Sequence, residues 1–434
     1  ADVRACSCTK YTKLGMCMRL LVFGHVSHTG FGVVTEALGS RLIASGVDVR
    51  VLAVNHRGEP IKGPLAGRVW PASIMGDPYA GNVSHNAIDG SLWRKLDPDD
   101  DWTPDAVLVV SDMSGLSGHV GQRGLTGPWL TLPVFHYCPI EGDNLPPSWR
   151  EAWAKINPVA MSDYGAQVIS AHIGRAVPRI YHGVDTDVFH PAKPPDPVEY
   201  RGTKIHSRDE CKVSLGLDPK RKLLLRSDRL VERKFYDRLL QAVVPILAAD
   251  PLTDLLIHCR PVDEGLNLHE EIARIPSEYH ARILLTNAHD TWRGLTTEGM
   301  VVLMNAADLY ISTTGGEGFG LNLAESLACG TPVVVTGWAG EKEVVAEGGV
   351  LVPPLMDSYG EPVRYHSGYG MDWAVPDPKG FVQPTLYLLS RPAKRRELGA
   401  LGRAHVKSNF SWDAATAQFL TLFEEADGAA RLAG

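Results

Sequence analysis

The sequence predicts an α/β protein of two doubly wound parallel sheets with helices on their faces. Three observations carry this. A continuous apolar run, Arg19–Gly24, leads into a helix-spaced segment, Val33–Ser45, and then a second apolar run, Val47–Val54. Strand, helix, strand in that order requires a crossover, so the strands run parallel. The same alternation starts again at Lys222, and a chain of 434 residues has room for two or three domains at roughly 100–200 residues each.

Ala1–Cys17 lacks periodicity and an apolar signal core, and reads as a disordered extension. Further buried-type runs stand at Ala106–Val110 and Leu130–Phe135, with Val159–Ser162 and Arg179–Tyr181 as shorter ones. The stretch 55–105 is rich in Gly, Pro, Asp and Asn and reads as long loops. Val184–Ile205 carries Pro191, Pro194, Pro195 and Pro197 and is the expected linker. Beyond it, strands are expected at Lys222–Arg226, Leu255–Cys259, Arg282–Leu285, Leu309–Thr313 and Pro332–Thr336, with helices at Tyr236–Ala249 and Leu268–Ile275. A last helical region, Lys394–Leu432, is amphipathic and able to pack back across both domains. The expected division is an extension over 1–17, an N-terminal domain over 18–195, a C-terminal domain over 203–395, and bridging helices over 396–434.

Composition excludes several classes. The charge balance of −7 argues against a general polyanion binder. No stretch approaches the ~20 apolar residues of a membrane span. Seven scattered cysteines are a poor disulfide framework, and Cys6-Ser7-Cys8 has no second pair nearby to make a metal site. The chain reads as soluble and cytoplasmic, with its oligomeric state open.

The most informative segment is Thr313-Thr314-Gly315-Gly316-Glu317-Gly318-Phe319-Gly320-Leu321-Asn322-Leu323-Ala324-Glu325. It follows a strand and opens a helix. A glycine-rich turn leaves backbone N–H groups unobstructed, and the helix N-terminus favours an anion. Glu317 at the turn and Glu325 on the helix make a carboxylate pair suited to the hydroxyls of a ribose or a pyranose, with phosphates held by backbone between them.

At these residues the chain resembles the retaining glycosyltransferases of family 4, whose signature is E-x7-E. The match continues through Ala324–Val334 to Gly340 and Glu343. His182-Gly183-Val184-Asp185 through Pro191 resembles the family's inter-domain segment, and Arg229–Lys234 its basic G-R-L-x-x-x-K-G segment. Asp228 and Phe235 depart from it, standing where glycines are usual. The resemblance implies a GT-B fold: two Rossmann-like domains facing a cleft, with a C-terminal helix packing back on the N-terminal domain. It implies that Arg229 and Lys234 bind a donor diphosphate, that Glu317 contacts the transferred sugar and Glu325 the ribose. Backbone of Gly318, Phe319, Gly320 and Leu321 would lie near donor phosphate or sugar.

In the first half, His28-Thr29-Gly30-Phe31-Gly32 resembles the family's Gly-rich first loop, so Gly30 and Gly32 are candidates for approach to the diphosphate. A dinucleotide fingerprint fits worse, because Val51–Val54 runs into Asn55 and not an acidic residue. His136 follows the run Leu130–Phe135 and resembles the family's cleft histidine near the donor sugar, a catalytic candidate with Glu317, Arg229 and Lys234. Glu141 and Asp143 are acceptor-side carboxylates or loop solvation. Base contacts are expected near Arg260 and Asn287–Asp290. Asp185-Thr186-Asp187 and Asp99-Asp100-Asp101 look like D-x-D metal sites, but one lies inside the inter-domain segment and the other in an acidic loop. No metal is expected, since cations and helix N-termini suit the leaving diphosphate. Trp70, Trp93, Trp102, Trp129, Trp149 and Trp153 are core residues by default, with stacking on an acceptor sugar or a nucleobase as the alternative.

The resemblance therefore implies a metal-independent, retaining transfer of a sugar from a UDP- or GDP-sugar to an acceptor hydroxyl, with no further cofactor. The acceptor is a glycan, a lipid, a small molecule or a nucleobase. The alternatives are a glycosyltransferase acting on modified DNA bases, a nucleotide-sugar epimerase of the same fold, and an inactive nucleotide-sugar binding module.

Overall fold

A computed structural model describes residues 18–26, 29–54, 56, 60–72, 79–286 and 294–433, the side chains of 427–433 aside. The expectations for 1–17, His28 and Asn287–Asp290 lie outside the described residues. The chain divides into two units. The first comprises Ala1–Pro139, Pro146–Gly183 and Trp412–Gly434; the second comprises Ile140–Leu145 and Val184–Ser411.

Each unit is built on six parallel strands. In the first the spatial order is Val69–Pro71, Asp48–Val54, Arg19–His25, Ala106–Val110, Val134–Cys138, Asn157–Ala160. In the second it is Ile283–Leu285, Thr253–His258, Lys222–Ser227, Leu309–Ser312, Val333–Thr336, Gly349–Val352. Counted along each unit, both orders are 3-2-1-4-5-6, the doubly wound Rossmann pattern. The central strands are almost wholly buried, as unbroken apolar sequence requires when helices cover both faces.

In the first unit, helix Gly30–Ala44 starts at Thr29, whose Oγ1 accepts from Gly32 N at 3.1 Å. The final helix, Trp412–Ala433, packs on it, and Arg41 pairs with Asp413 at 2.9 Å. Phe419 and Phe423 of that helix meet Tyr137 and Phe135 edge-on at 5.0 and 5.1 Å. Gly183 admits the helix start, since a Cβ there would lie 2.2 Å from Trp412 N. Thus the C-terminal helix belongs to the N-terminal sheet.

Several expectations change. The region Lys394–Leu432 is two helices, Pro392–Asn409 and Trp412–Ala433, broken at Phe410. Only the second joins the first unit, so 396–434 is divided between the units. Val184–Ile205 is no free linker: Asn305 donates to His190 O at 2.9 Å and accepts from Ala192 N at 2.7 Å, and Val198–Tyr200 pairs with Thr203–Ile205. The boundary accordingly falls after Gly183, earlier than 195. Finally, the run Leu130–Phe135 is not one strand. Gly127–Leu130 forms a 3-10 turn, and the strand runs Val134–Cys138. Apolar continuity concealed that break, and the shift changes the setting of His136.

Candidate functional site

In a doubly wound sheet, ligands bind beyond the strand C-termini where the strand order reverses. In the second unit that point lies between Lys222–Ser227 and Leu309–Ser312. The residues that follow those two strands are Asp228–Lys234 and Thr313–Gly320. Topology alone therefore joins the basic segment to the glycine-rich turn.

The turn is shaped by glycines that admit other backbone. A Cβ on Gly316 would stand 1.8 Å from Glu141 O, and one on Gly340 would stand 2.8 Å from Glu317 O. Gly315 O accepts from Ala374 N at 3.0 Å, on the hairpin Arg364–His366/Asp372–Ala374. Gly320, at φ +103°, precedes helix Leu321–Ala328, which has no side-chain cap. We expect Gly316→Ala to destabilise the protein by about 3 kcal/mol or more, because the clash is with backbone and not a movable side chain. Chemical denaturation of the variant checks it.

Ion pairs fill the space beside the turn. Lys234 Nζ lies 2.6 Å from Asp228 Oδ1 and 2.5 Å from Glu317 Oε1. Arg233 reaches Glu317 Oε2 at 3.0 Å, Gly316 O at 2.7 Å and Glu141 Oε1 at 3.1 Å. Arg226 is fully buried, 3.0 Å from Asp228 Oδ2, while its Nη1 has no hydrogen-bond partner among the described residues. Burial alone would push the Glu317 carboxyl up, but Lys234 and Arg233 outweigh it and hold it down at about 2. Glu317 is thus a fixed anion.

Glu325 is the opposite. It is 6% exposed, and its carboxyl makes no hydrogen bond among the described residues. Burial pushes it up to about 8, so it is largely neutral at pH 7. Glu341, which sequence reasoning passed over, accepts from Glu317 N at 2.9 Å and is pushed up to about 7 by burial and then by the Glu317 charge.

Other expected residues are placed differently. Arg229 does not join Lys234: it is held by Asp263 at 3.2 Å and Glu264 at 2.9 Å, on the hairpin Val262–Asp263/Leu266–Asn267, and is largely exposed. Glu141 clusters with the second unit and meets Arg233, so it is not merely loop solvation. Gly30 opens the first helix, with nothing within 4 Å of a Cβ built there.

His136 lies in the middle of its strand, not beyond its end. Its Nδ1 accepts from Trp153 Nε1 at 3.1 Å, which leaves Nε2–H to donate to Ser111 O at 3.0 Å. It is fully buried, and burial holds it neutral, down at about 4. With both nitrogens engaged, the structure gives His136 the role of a satisfied core histidine. The tryptophans are structural as well: Trp70, Trp93 and Trp102 surround Arg50 at 5.2, 4.9 and 4.5 Å, and Trp129 stacks on Phe23 at 5.3 Å. Asp100 is the Arg50 partner at 2.7 Å, and Asp185 Oδ1 caps its own turn at Asp187 N and Val188 N. Among the described residues no three His, Cys, Asp or Glu side chains gather as a metal site would need. Nor is any helix among them long and apolar enough to cross a membrane.

Phe235 keeps the path that a glycine would give. It sits in the left-handed region at φ +44°, ψ +57°, with its ring edge-on to Tyr365 at 5.8 Å and its backbone O accepting from Thr313 Oγ1 at 3.0 Å. Phe235→Ala is expected to be about 1 kcal/mol less stable than Phe235→Gly, because alanine loses the ring and keeps the backbone strain. Equal denaturation midpoints would contradict this.

Comparison with known proteins follows the same division. Residues 207–363 match the family described as glycosyl transferases group 1. The chain is 27% identical over 240 residues to the GDP-mannose-dependent monoacylated alpha-(1-6)-phosphatidylinositol monomannoside mannosyltransferase of Corynebacterium glutamicum, covering 53% of this chain and 51% of that one. It is 29% identical over 246 residues to the D-inositol 3-phosphate glycosyltransferase of Segniliparus rotundus, covering 56% and 46%. The matches span about half the length of these relatives. Among solved structures, sucrose-phosphate synthase from Thermosynechococcus elongatus aligns with TM-score 0.67 at 17% identity over 95% of this chain and 100% of that one. Anabaena Alr3699/HepE in complex with UDP and glucose aligns with TM-score 0.61 at 15% identity over 94% and 100%. These likenesses show the GT-B fold.

Proposed function

We propose, from the match of residues 207–363 to the family described as glycosyl transferases group 1, that the protein transfers a sugar from a nucleoside-diphosphate donor to an acceptor hydroxyl. One observation carries the reading. At the switch point of the second sheet, Glu317 is saturated by two cations, while Glu325, one E-x7-E interval on, is buried without a partner. Ribose hydroxyls donating to Glu325 would satisfy it and favour its ionised form. The start of helix Leu321–Ala328, which has no side-chain cap, suits a phosphate oxygen or a sugar hydroxyl. Lys234 has three donors and uses two, so one remains for the diphosphate.

In this reading the leaving diphosphate is stabilised by Lys234, Arg233, Arg229 and backbone N–H groups, without a metal. Lys234 and Arg233, already held by their ion pairs, need no rearrangement as charge develops on the leaving oxygen. Transfer proceeds with retention of configuration, as the E-x7-E resemblance implies, the departing phosphate taking the acceptor proton. Arg229 contributes once it exchanges Asp263 and Glu264 for phosphate.

The Corynebacterium relative is named for GDP-mannose and HepE was solved with UDP and glucose, so both bases belong in the test. A panel of UDP- and GDP-sugars is measured by thermal shift, with and without a chelator. Transfer with the preferred donor is then followed by mass spectrometry. The reading expects one nucleotide to stabilise the protein by several degrees regardless of chelator, with a glycosylated product of retained configuration. No stabilisation by any donor would overturn it.

A further inference from the structure

Asp228 is unexplained by the transfer chemistry. It follows the strand Lys222–Ser227, has a largely buried side chain, and lies in the phosphate-binding end of the site. Its Oδ1 meets Lys234 Nζ at 2.6 Å and its Oδ2 meets Arg226 Nε at 3.0 Å, while its backbone O accepts from Tyr236 Oη at 2.9 Å. Glu317 does not need it, having Arg233 as well as Lys234. A carboxylate beside a cation expected to hold a diphosphate opposes that binding.

Counting the cluster shows what Asp228 does. Arg226, Arg233 and Lys234 are matched by Asp228, Glu141 and Glu317, so the pairs cancel. Without Asp228 these three cations would be matched by two carboxylates, Glu141 and Glu317, beside a Glu341 that burial pushes up to about 7. Lys234 would also be anchored on one side only, by Glu317. With Asp228 in place the ammonium is fixed from two sides and presents one N–H.

We propose that Asp228 is a positioning residue that fixes the Lys234 ammonium and offsets its charge, keeping diphosphate capture weak enough for the product nucleotide to leave. The inference rests on the donor reading above. Asp228→Asn keeps the hydrogen bond to Lys234 and removes the charge. A diphosphate is therefore held more tightly, and turnover becomes limited by its release.

Calorimetry with two probes, inorganic pyrophosphate and the preferred nucleoside diphosphate, compares the wild-type protein with Asp228→Asn. The variant is expected to bind both about tenfold more tightly, which is 1.4 kcal/mol. In transfer assays KM for the donor and kcat are expected to fall together. A residue with only a structural role would lower the folded fraction and leave the dissociation constant unchanged. If Asp228→Asn does not fold, Asp228→Gly, which removes the same charge and restores the residue usual at this position in the resembled family, is read in the same way. Equal or weaker pyrophosphate binding by the folded variant, or none by either protein, would overturn the inference. Tighter pyrophosphate binding by a variant whose wild type takes no nucleoside diphosphate would instead overturn the donor reading and leave Asp228 its role.

Discussion

Replacing Lys234 by alanine is expected to lower kcat/KM at least about a hundredfold, because it removes a preorganised cation from the leaving diphosphate. The same change leaves Asp228 and Glu317 each with one cation in a buried setting. Removing one partner of a buried ion pair costs about 3 kcal/mol or more, so the variant is expected to melt earlier as well. Steady-state kinetics at a temperature where the variant is still folded separate the two effects. A folded Lys234→Ala protein with near-normal kcat/KM would remove Lys234 from the site. Lys234→Arg keeps the charge, but a planar guanidinium does not reproduce a point donor between two carboxylates, so donor KM is expected to rise.

Glu325→Gln is expected to do the reverse for stability. The Glu325 carboxyl sits at about 8 in the folded protein, against 4.5 ordinarily. The folded state therefore holds a proton that the unfolded chain releases, and stability falls as pH rises from about 4.5 to about 8. Above that window the loss is complete; below it, none is felt. Glutamine stays neutral throughout, so Glu325→Gln is expected to match the wild type near pH 4.5 and to exceed it at pH 8 by an amount on the order of a few kcal/mol. Glu341 titrates in both proteins, so their difference isolates Glu325. Denaturation at the two pH values measures it, and parallel pH profiles would contradict it. Donor binding is expected to weaken about tenfold or more, since a charged acceptor is lost to the hydroxyls.

Gaining stability while losing binding is the mark of a group kept for its ligand. Lys234→Ala is expected to lose both, because in the proposed reading its charge is used twice, once to hold Glu317 and once toward the phosphate. The two substitutions thus distinguish a residue the fold relies on from one it merely tolerates.

Much of the architecture was legible because burial leaves a simple trace. Unbroken apolar runs gave the central strands, and the segment Tyr236–Ala249 is a helix over the expected residues. The strand Gly349–Val352 and the hairpin Arg364–His366/Asp372–Ala374 were not seen. Both are short: Gly349–Val352 is a four-residue run beside glycines and prolines, and the hairpin pairs two three-residue arms, one largely exposed and one buried, so neither is long enough to show a period. The run Leu130–Phe135 misled for the converse reason: a 3-10 turn made of Gly, Pro, Trp and Leu is as apolar as a strand. That slip moved His136 from a strand end to a strand interior.

At the proposed site, Glu317, Lys234 and Glu325 stand out in the sequence because a glycine-rich turn and a fixed spacing are local features. The partners of those residues do not. Asp228 stands six residues from Lys234, but Glu141 and Arg233 are brought together by the fold from distant parts of the chain. Glu341 reaches the backbone of Glu317 through the same fold, and only Gly340 before it hinted at close packing. Sequence spacing shows which groups are available; the sheet's switch point decides which of them meet.

The central claim is that Glu325 receives the ribose of a nucleoside diphosphate held on the second unit. Calorimetry in a double-mutant cycle tests it, with the preferred nucleoside diphosphate and its 2′,3′-dideoxy analogue titrated into the wild-type protein and Glu325→Gln. The account predicts that losing the hydroxyls weakens binding about tenfold in the wild type and hardly at all in the variant. Equal losses in both proteins would contradict it.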